Sequence, residues 1–399
     1  MVYRGMPDEA LAFALVITPD RVSIGLGVGT QPPLSRIALM VRAARAARFD
    51  AVWTVDHFQG WFPQELWTKE MSWTAGPDVT PHEYFDYQAL VGHLLTRVGG
   101  MQVGVAVTEA LRRHPVLLAQ TAMTWSHLAK TAPILGVGAG ERENTVPYGI
   151  DFDHPVARLE EALQIVRRCF ESRGPFDFNG RFFDMDKAVM DLAPVPGRRP
   201  RIWVAAHGPR MLRLTGCYGD GWYPTFPMSP EQYAASLARI RNAAKESGRD
   251  GRLIVPAAQM IVVLGRTERE ARKYLGTRLL RFLALLSPAA MWSENGVEHP
   301  LGAGFRGMID FVPAEHPPDR IEAALAAVPV DAVAEGVLWG TPDMVLERLE
   351  SYVDAGLRHI VLNPASAAVS RRSALYSFRA VFSVLRRLRR SANARLGAS

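Results

Sequence analysis

Short apolar runs recur along this chain, each ending in a glycine or a titratable residue and leading into a stretch with helical spacing of its apolar positions. Residues 21–29, RVSIGLGVG, alternate apolar residues with glycines and predict a first strand. Pro32 and Pro33 then introduce an Ala-rich helix through Arg48. Further strands are predicted at 51–55, 101–107, 132–140 and 201–208, within 220–226, at 253–265, and in the last residues of 341–364. Helical patterns fall at 84–97, 114–128, 155–170, 209–215, 230–247 and 267–286. A final helix opens at a Thr341 cap with Pro342 in its first turn and stops at Gly356. About eight alternations of strand and helix favour a closed α/β barrel, the (β/α)8 or TIM barrel, over an open sheet.

Three segments break the alternation. Residues 57–83 hold three tryptophans and no clear period, and are expected to form a functional wall, a barrel cover or a dimer contact. Residues 174–190 resemble a hairpin turning at Asn179-Gly180, outside the barrel. Residues 287–320, rich in Gly, Pro and His, form another insertion near the strand ends. Residues 1–20 read as an N-terminal extension without order of its own, and 21–399 as a single domain.

The chain has 399 residues, 48% of them hydrophobic, enough for one large core. Its net charge of +6 is concentrated at the end, in Arg371, Arg372, Arg379, Arg386, Arg387, Arg389, Arg390 and Arg395. Such a helix is ordinarily a solvated face; without stacking aromatics or a helix-turn-helix pattern it argues against nucleic acid and leaves peripheral membrane contact open. Cys169 and Cys217 are the only cysteines, which excludes a disulfide framework, and neither has metal-ligand spacing around it, so no metal is expected. The short run ALAFALVI after an acidic pair makes a poor signal peptide, so a cytoplasmic protein without an integral membrane segment is expected.

The chemistry gathers where strands end. The run FDAVWTVDHFQGW, residues 49–61, carries a buried strand straight into Asp56 and His57, at the carboxyl end where α/β folds place ligands. Glu109, Glu141 and His207 stand at three other glycine-punctuated strand ends. No Gly-x-Gly-x-x-Gly opens the first helix and no Gly-Lys-Ser/Thr loop occurs, so a standard nucleotide site is unsupported. A lone histidine is more often a satisfied core residue than a catalyst, and Glu141 has the competing reading of a cap or an ion pair with Arg142.

The motifs VDHFQGW (55–61), GVGAGE (136–141) and AAHGP (205–209), with GTPDMVLERLESYVDAGLRHIVL (340–362), resemble in order and spacing the bacterial-luciferase-like flavin and deazaflavin barrels, and within them the F420-dependent oxidoreductases. GERENTVPYGI, HPVARLEEAL, IWVAAHGPRMLR and GVEHPLGAGF are similar to stretches of phthiodiolone and phenolphthiodiolone dimycocerosates ketoreductases of mycobacteria. The resemblance covers about residues 22–365. It implies hydride transfer between the C5 of reduced coenzyme F420 and a ketone or alcohol of a hydrophobic, lipid- or polyketide-like substrate. His57 would then be the acid/base, Glu141 would exchange a proton with the ring, and Trp61 would wall the site. Asp56 would hold cofactor and imidazole. Ala106-Val107 matches a cis peptide that bulges against the ring; Thr108, Gly138, Ala139, Gly140, His207 and Gly208 would contact the cofactor, His207 standing where the family commonly has glycine. Met228, with no lysine nearby, disfavours a sugar phosphate. The resemblance also implies a homodimer. An FMN-dependent monooxygenase of the same barrel, and a non-catalytic barrel that binds deazaflavin or lipid, are the alternatives.

Overall fold

The computed structural model describes residues 16–397 except Pro77, Phe226 and Asn295. Its strands, in chain order, are β1 (Ser23–Gly27), β2 (Ala51–Thr54), β3 (Gln102–Thr108), β4 (Ile134–Val137), β5 (Phe176–Asn179), β6 (Asp184–Ala188), β7 (Arg201–Val204), β8 (Gly221–Trp222), β9 (Val255–Leu264), β10 (Leu338–Gly340) and β11 (His359–Pro364). The main sheet runs β9, β11, β1, β2, β3, β4, β7, β8, and β8 pairs back to β9, so eight parallel strands close a barrel. β10 is a ninth strand added beside β9, and β5 and β6 form a separate antiparallel pair.

Parallel strands covered on both faces read as continuous apolar runs, and β2 and β4 are buried at every residue. The barrel interior is filled from large and small residues in register. Trp53, Trp203, Tyr223 and His359 pack across the axis, and a Cβ on Gly104 of the next strand would lie 2.4 Å from the Trp53 ring. The same core includes Ile17, whose N–H donates to Gln102 Oε1 at 2.7 Å. The expected extension of residues 1–20 therefore ends earlier: Ile17 belongs to the core, while residues 1–15 lie outside the described residues.

Three boundaries differ from expectation. The sixth strand shrinks to Gly221–Trp222, and the carbonyl of Pro224, past its end, already accepts from Gln259 N–H outside the ladder. The helix expected over 267–286 breaks into Glu268–Leu275 and Arg278–Leu285, because the Tyr274 carbonyl accepts both the backbone N–H and the hydroxyl of Thr277 and so closes the first helix. The hairpin turns through residues 180–183, where the Glu161 carboxylate accepts the N–H groups of Arg181, Phe182 and Phe183 at 2.8 to 3.1 Å.

A second apolar core lies beside the barrel and joins Leu66 and Met71 of the tryptophan-bearing segment to Phe282, Trp292 and Phe311. Phe62 stacks on Phe282 at 4.5 Å, so the long insertions brace one another. The C-terminal helix Arg371–Leu396 ties to the barrel, with Asn393 Oδ1 accepting the Val22 N–H at 2.6 Å and Arg389 paired with Asp50 at 3.1 Å. Arg387 and Arg395 also pair with aspartates, Asp343 and Asp354. Among the described residues, no helix is long and apolar enough to cross a membrane.

Candidate active site

β2 delivers Asp56 and His57 to the carboxyl end of the barrel. Asp56 is 6% exposed, and its Oδ2 accepts from Thr108 Oγ1 at 2.7 Å, Arg112 Nη2 at 2.9 Å and Arg113 Nη1 at 2.8 Å. Burial raises its carboxyl against the pull of the two guanidiniums. Glu109, also buried, grips Arg112 from the other side and accepts the Arg112 backbone N–H at 3.0 Å. No hydrogen bond joins Asp56 to the imidazole among the described residues: its Oδ2 faces the arginines and takes the Thr108 hydroxyl.

The imidazole is held from β4 instead. After β4 the chain passes Gly138, Ala139 and Gly140 into a 3-10 turn, Arg142–Asn144, in which Glu143 and Asn144 are buried. Asn144 Nδ2 lies 2.9 Å from His57 Nδ1 and 2.7 Å from Glu143 Oε1, while Asn144 Oδ1 accepts the Phe58 N–H at 2.7 Å. Glu143 Oε1 and Glu141 Oε2 stand 3.4 and 3.9 Å from the same imidazole nitrogen. Arg142 turns outward to Glu315 at 3.1 Å, so the alternative ion pair with Glu141 does not form.

Burial lowers the His57 pKa, opposed by the charges of Glu141 and Asp56. Burial also pushes Glu141 well above its ordinary value, with Glu143 adding to the shift, and pushes Glu143 up to about 7. Near neutral pH the site therefore holds a neutral imidazole beside a carboxyl pair that retains a proton. Trp61 meets the His57 ring edge-on at 5.1 Å and Tyr84 lies at 5.4 Å. Trp61 Nε1 and Glu143 Oε2 are buried without a hydrogen-bond partner of good geometry, although the indole is near enough to lower the Glu143 pKa.

The remaining candidates line the same end of the barrel. The Ala106-Val107 peptide is cis, and the β3–β4 register shifts between Val105 and Thr108. Gly136 and Gly138 face this bulge: an added Cβ would fall 2.0 Å from the Val105 carbonyl oxygen and 2.9 Å from Val107 Cγ2 respectively. Gly140, at φ +90°, turns the chain toward Glu141. His207 Nε2 accepts the Thr225 N–H at 3.3 Å, and burial holds that imidazole down at about 4. Gly208 caps the helix Pro209–Tyr218, and a Cβ there, as at Gly27, would meet nothing within 4 Å. The strand ends thus combine open space over glycines with a helix N-terminus suited to an anion.

His57, Glu141 and Glu143 place ligand atoms within 4.8 Å of one another. The Asn144 amide lies within hydrogen-bond distance of both His57 Nδ1 and Glu143 Oε1, so two of these atoms already have a partner in the chain. Glu143, Asn144, Tyr84, Arg112 and Arg113 were not singled out by sequence reasoning; the signals for Glu143 and Asn144 were their place in GERENTVPYGI, a stretch that carries the family resemblance, and their position directly after a glycine-rich strand end.

Comparison with known proteins identifies the family and the fold. Residues 14–359 match the sequence model of the luciferase-like monooxygenase family. The chain is 35% identical over 94% of its length to the whole of a phthiodiolone/phenolphthiodiolone dimycocerosates ketoreductase from Mycobacterium sp. (strain JLS). It is 27% identical over 86% of its length, and 90% of the relative, to an F420-dependent glucose-6-phosphate dehydrogenase from Nakamurella multipartita. An F420-dependent secondary alcohol dehydrogenase solved with an F420–acetone adduct superposes with a TM-score of 0.68, at 20% identity, over 86% of this chain and 94% of that one, and shares the fold. The chain belongs to the luciferase-like monooxygenase family and is an oxidoreductase.

Proposed function

We propose that this member of the family is an F420-dependent ketoreductase acting on a hydrophobic, lipid- or polyketide-like ketone. The observation that carries the reading is His57, a neutral imidazole set between Trp61 and Tyr84 at the end of β2, with the proton-bearing Glu141–Glu143 pair beside it. The ketoreductase relative supports the substrate class, and the F420-dependent relative supports the cofactor.

The residues present fit a flat ring carrying a phosphate tail. A Cβ on Gly138 would stand 2.9 Å from Val107 Cγ2, so that strand end admits no side chain there, while one on Gly208 at the helix start would meet nothing within 4 Å. The bound deazaflavin would supply a hydride. The chain's own residues must then do the rest. His57 hydrogen-bonds the carbonyl oxygen and stabilises the charge that develops as the hydride reaches carbon and the C=O pair moves to oxygen. The proton that completes the alcohol would leave from His57 Nε2, and the Glu141–Glu143 pair, on the Nδ1 side of the ring, would return one proton to the imidazole. Trp61 and Tyr84 exclude water, and Asp56, through Arg112 and Arg113, positions the loop that carries His57.

Anaerobic titration of the full chain with F420 and, separately, FMN tests this, followed by absorbance of reduced F420 with apolar ketones of increasing length. F420 binding with ketone-dependent reoxidation and no oxygen requirement is expected. Selective FMN binding with oxygen uptake would replace the reading with an FMN monooxygenase, which the description of the family model favours. Binding of F420 without turnover of any ketone would leave a binding barrel.

A further inference from the structure

We infer that Asn144 is a positioning residue that fixes the proton of the neutral His57 ring on Nε2, presetting the imidazole as a hydrogen-bond donor toward a carbonyl oxygen. This inference deepens the ketoreductase reading and rests on it for its catalytic consequence, but not for the state of the imidazole.

The argument starts from the Phe58 backbone. Its N–H can only donate, and it lies 2.7 Å from the oxygen of the Asn144 amide. Asn144 is 3% exposed, so water has little access to satisfy the opposite orientation. With Oδ1 assigned to Phe58, the NH2 group faces two acceptors, Glu143 Oε1 at 2.7 Å and His57 Nδ1 at 2.9 Å, one hydrogen for each. Nδ1 must then present its lone pair, and in a neutral imidazole the proton sits on Nε2. Reversing the tautomer would set an Nδ1–H against the amide hydrogens, and turning the amide over would set its NH2 against the Phe58 N–H.

The groups around the ring agree with this assignment. Glu143 and Glu141 approach the Nδ1 side at 3.4 and 3.9 Å, and Glu143 receives an Asn144 hydrogen there. Asp56 Oδ2 is engaged with Thr108, Arg112 and Arg113, and among the described residues no hydrogen bond joins Asp56 to the ring. Among the described residues no hydrogen bond is made at Nε2, which leaves that N–H for a ligand. An Nε2–H suits carbonyl reduction, in which negative charge grows on oxygen. Taking a proton from an alcohol would instead require a lone pair at Nε2.

The test is long-range 15N–1H correlation on full-length protein labelled in histidine, between pH 6 and 9, with His57→Gln identifying the His57 signals by their loss. The Nε2–H tautomer is expected in the unsubstituted protein, and finding Nδ1–H there would overturn the inference without any variant. Asn144→Asp, whose carboxylate accepts from Nδ1–H, is expected to move the proton to Nδ1 and to keep the imidazolium to higher pH. Asn144→Ala is expected to give a mixture. An unchanged tautomer in a folded Asn144→Asp protein would refute the positioning role. In turnover with reduced F420 and an apolar ketone, at a pH where the variant's ring is neutral, Asn144→Asp is expected to lower kcat by about 10²-fold, the scale of losing one oriented donor, with little change in KM. Absence of ketone turnover in the unsubstituted protein would sink the ketoreductase reading while leaving the tautomer result standing.

Discussion

Arg112 Nη2 lies 2.9 Å from Asp56 Oδ2, and both side chains are nearly sealed from solvent, at 2% and 4% exposure. The pair sits directly behind the end of β2, flanked by Arg113 and Glu109. Arg112 also lies over the Phe58 ring at 4.5 Å, so it touches the residue whose N–H orients Asn144. Asp56 and His57 are neighbours in sequence but act on different partners: one carboxylate fixes the loop, and the imidazole is left to the turn after β4.

Removing Asp56 would leave Arg112 and Arg113 without their shared carboxylate in a dry setting. Breaking one partner of a buried pair costs about 3–5 kcal/mol. Asp56→Ala is expected to lower the unfolding free energy on that scale, measured by chemical denaturation. The loss should exceed that of Glu315→Ala, whose pair with Arg142 is partly exposed.

Gly136 and Gly138 make a graded test of the strand-end bulge. A Cβ at 136 would stand 2.0 Å from a backbone oxygen that cannot move without shifting β3, whereas at 138 it would stand 2.9 Å from a side-chain methyl of Val107. Gly138→Ala is expected to cost about 1–3 kcal/mol, the range for overpacking, and to weaken F420 affinity. Gly136→Ala is expected to lower Tm further, and equal Tm values for the two would contradict the placement of the bulge.

Much of this was legible because parallel strands are buried on both faces. AVWT, ILGV and RIWV read as continuous apolar runs, so their ends, and with them His57, Glu141 and His207, could be located from the pattern alone. In the site, what stayed hidden has one physical cause. A run such as Arg142 to Thr145 is polar throughout, and sequence pattern assigns it to solvent, yet Glu143 is 0% and Asn144 3% exposed because they satisfy one another and His57. Arg112 and Arg113 were hidden in the same way, their charge met by Asp56, a partner distant in sequence. The break at Thr277 was hidden because its hydroxyl cap is local geometry inside an apolar helical period.

Replacing His57 separates chemistry from binding. His57→Ala is expected to lower kcat for ketone reduction by about 10²- to 10⁴-fold, the range for a positioned acid or base, while the F420 dissociation constant changes little. Stopped-flow reoxidation and equilibrium titration of the same preparation check the two halves. A parallel collapse of F420 affinity would place His57 among the binding residues instead.

Glu143 makes the fold pH-dependent, with a definite sign. In the unfolded chain its carboxyl loses a proton near 4.5, but burial holds it in the fold until about 7. Between those values the unfolded state binds fewer protons than the folded one, so this group's contribution to stability falls as pH rises, and the loss is complete above about 7. At 1.36 kcal/mol per pH unit the window corresponds to about 3 kcal/mol as an upper bound. Glu143→Gln keeps the acceptor that Asn144 uses and cannot ionise, and it also relieves the charge that raises Glu141. The substituted protein is therefore expected to match the unsubstituted one near pH 4.5 and to exceed it in Tm above pH 7. Calorimetry across that range checks the sign: a Tm advantage that shrinks as pH rises would mean that Glu143 is ionised in the fold at low pH, stabilised there by Trp61 and Arg112 more strongly than burial opposes it.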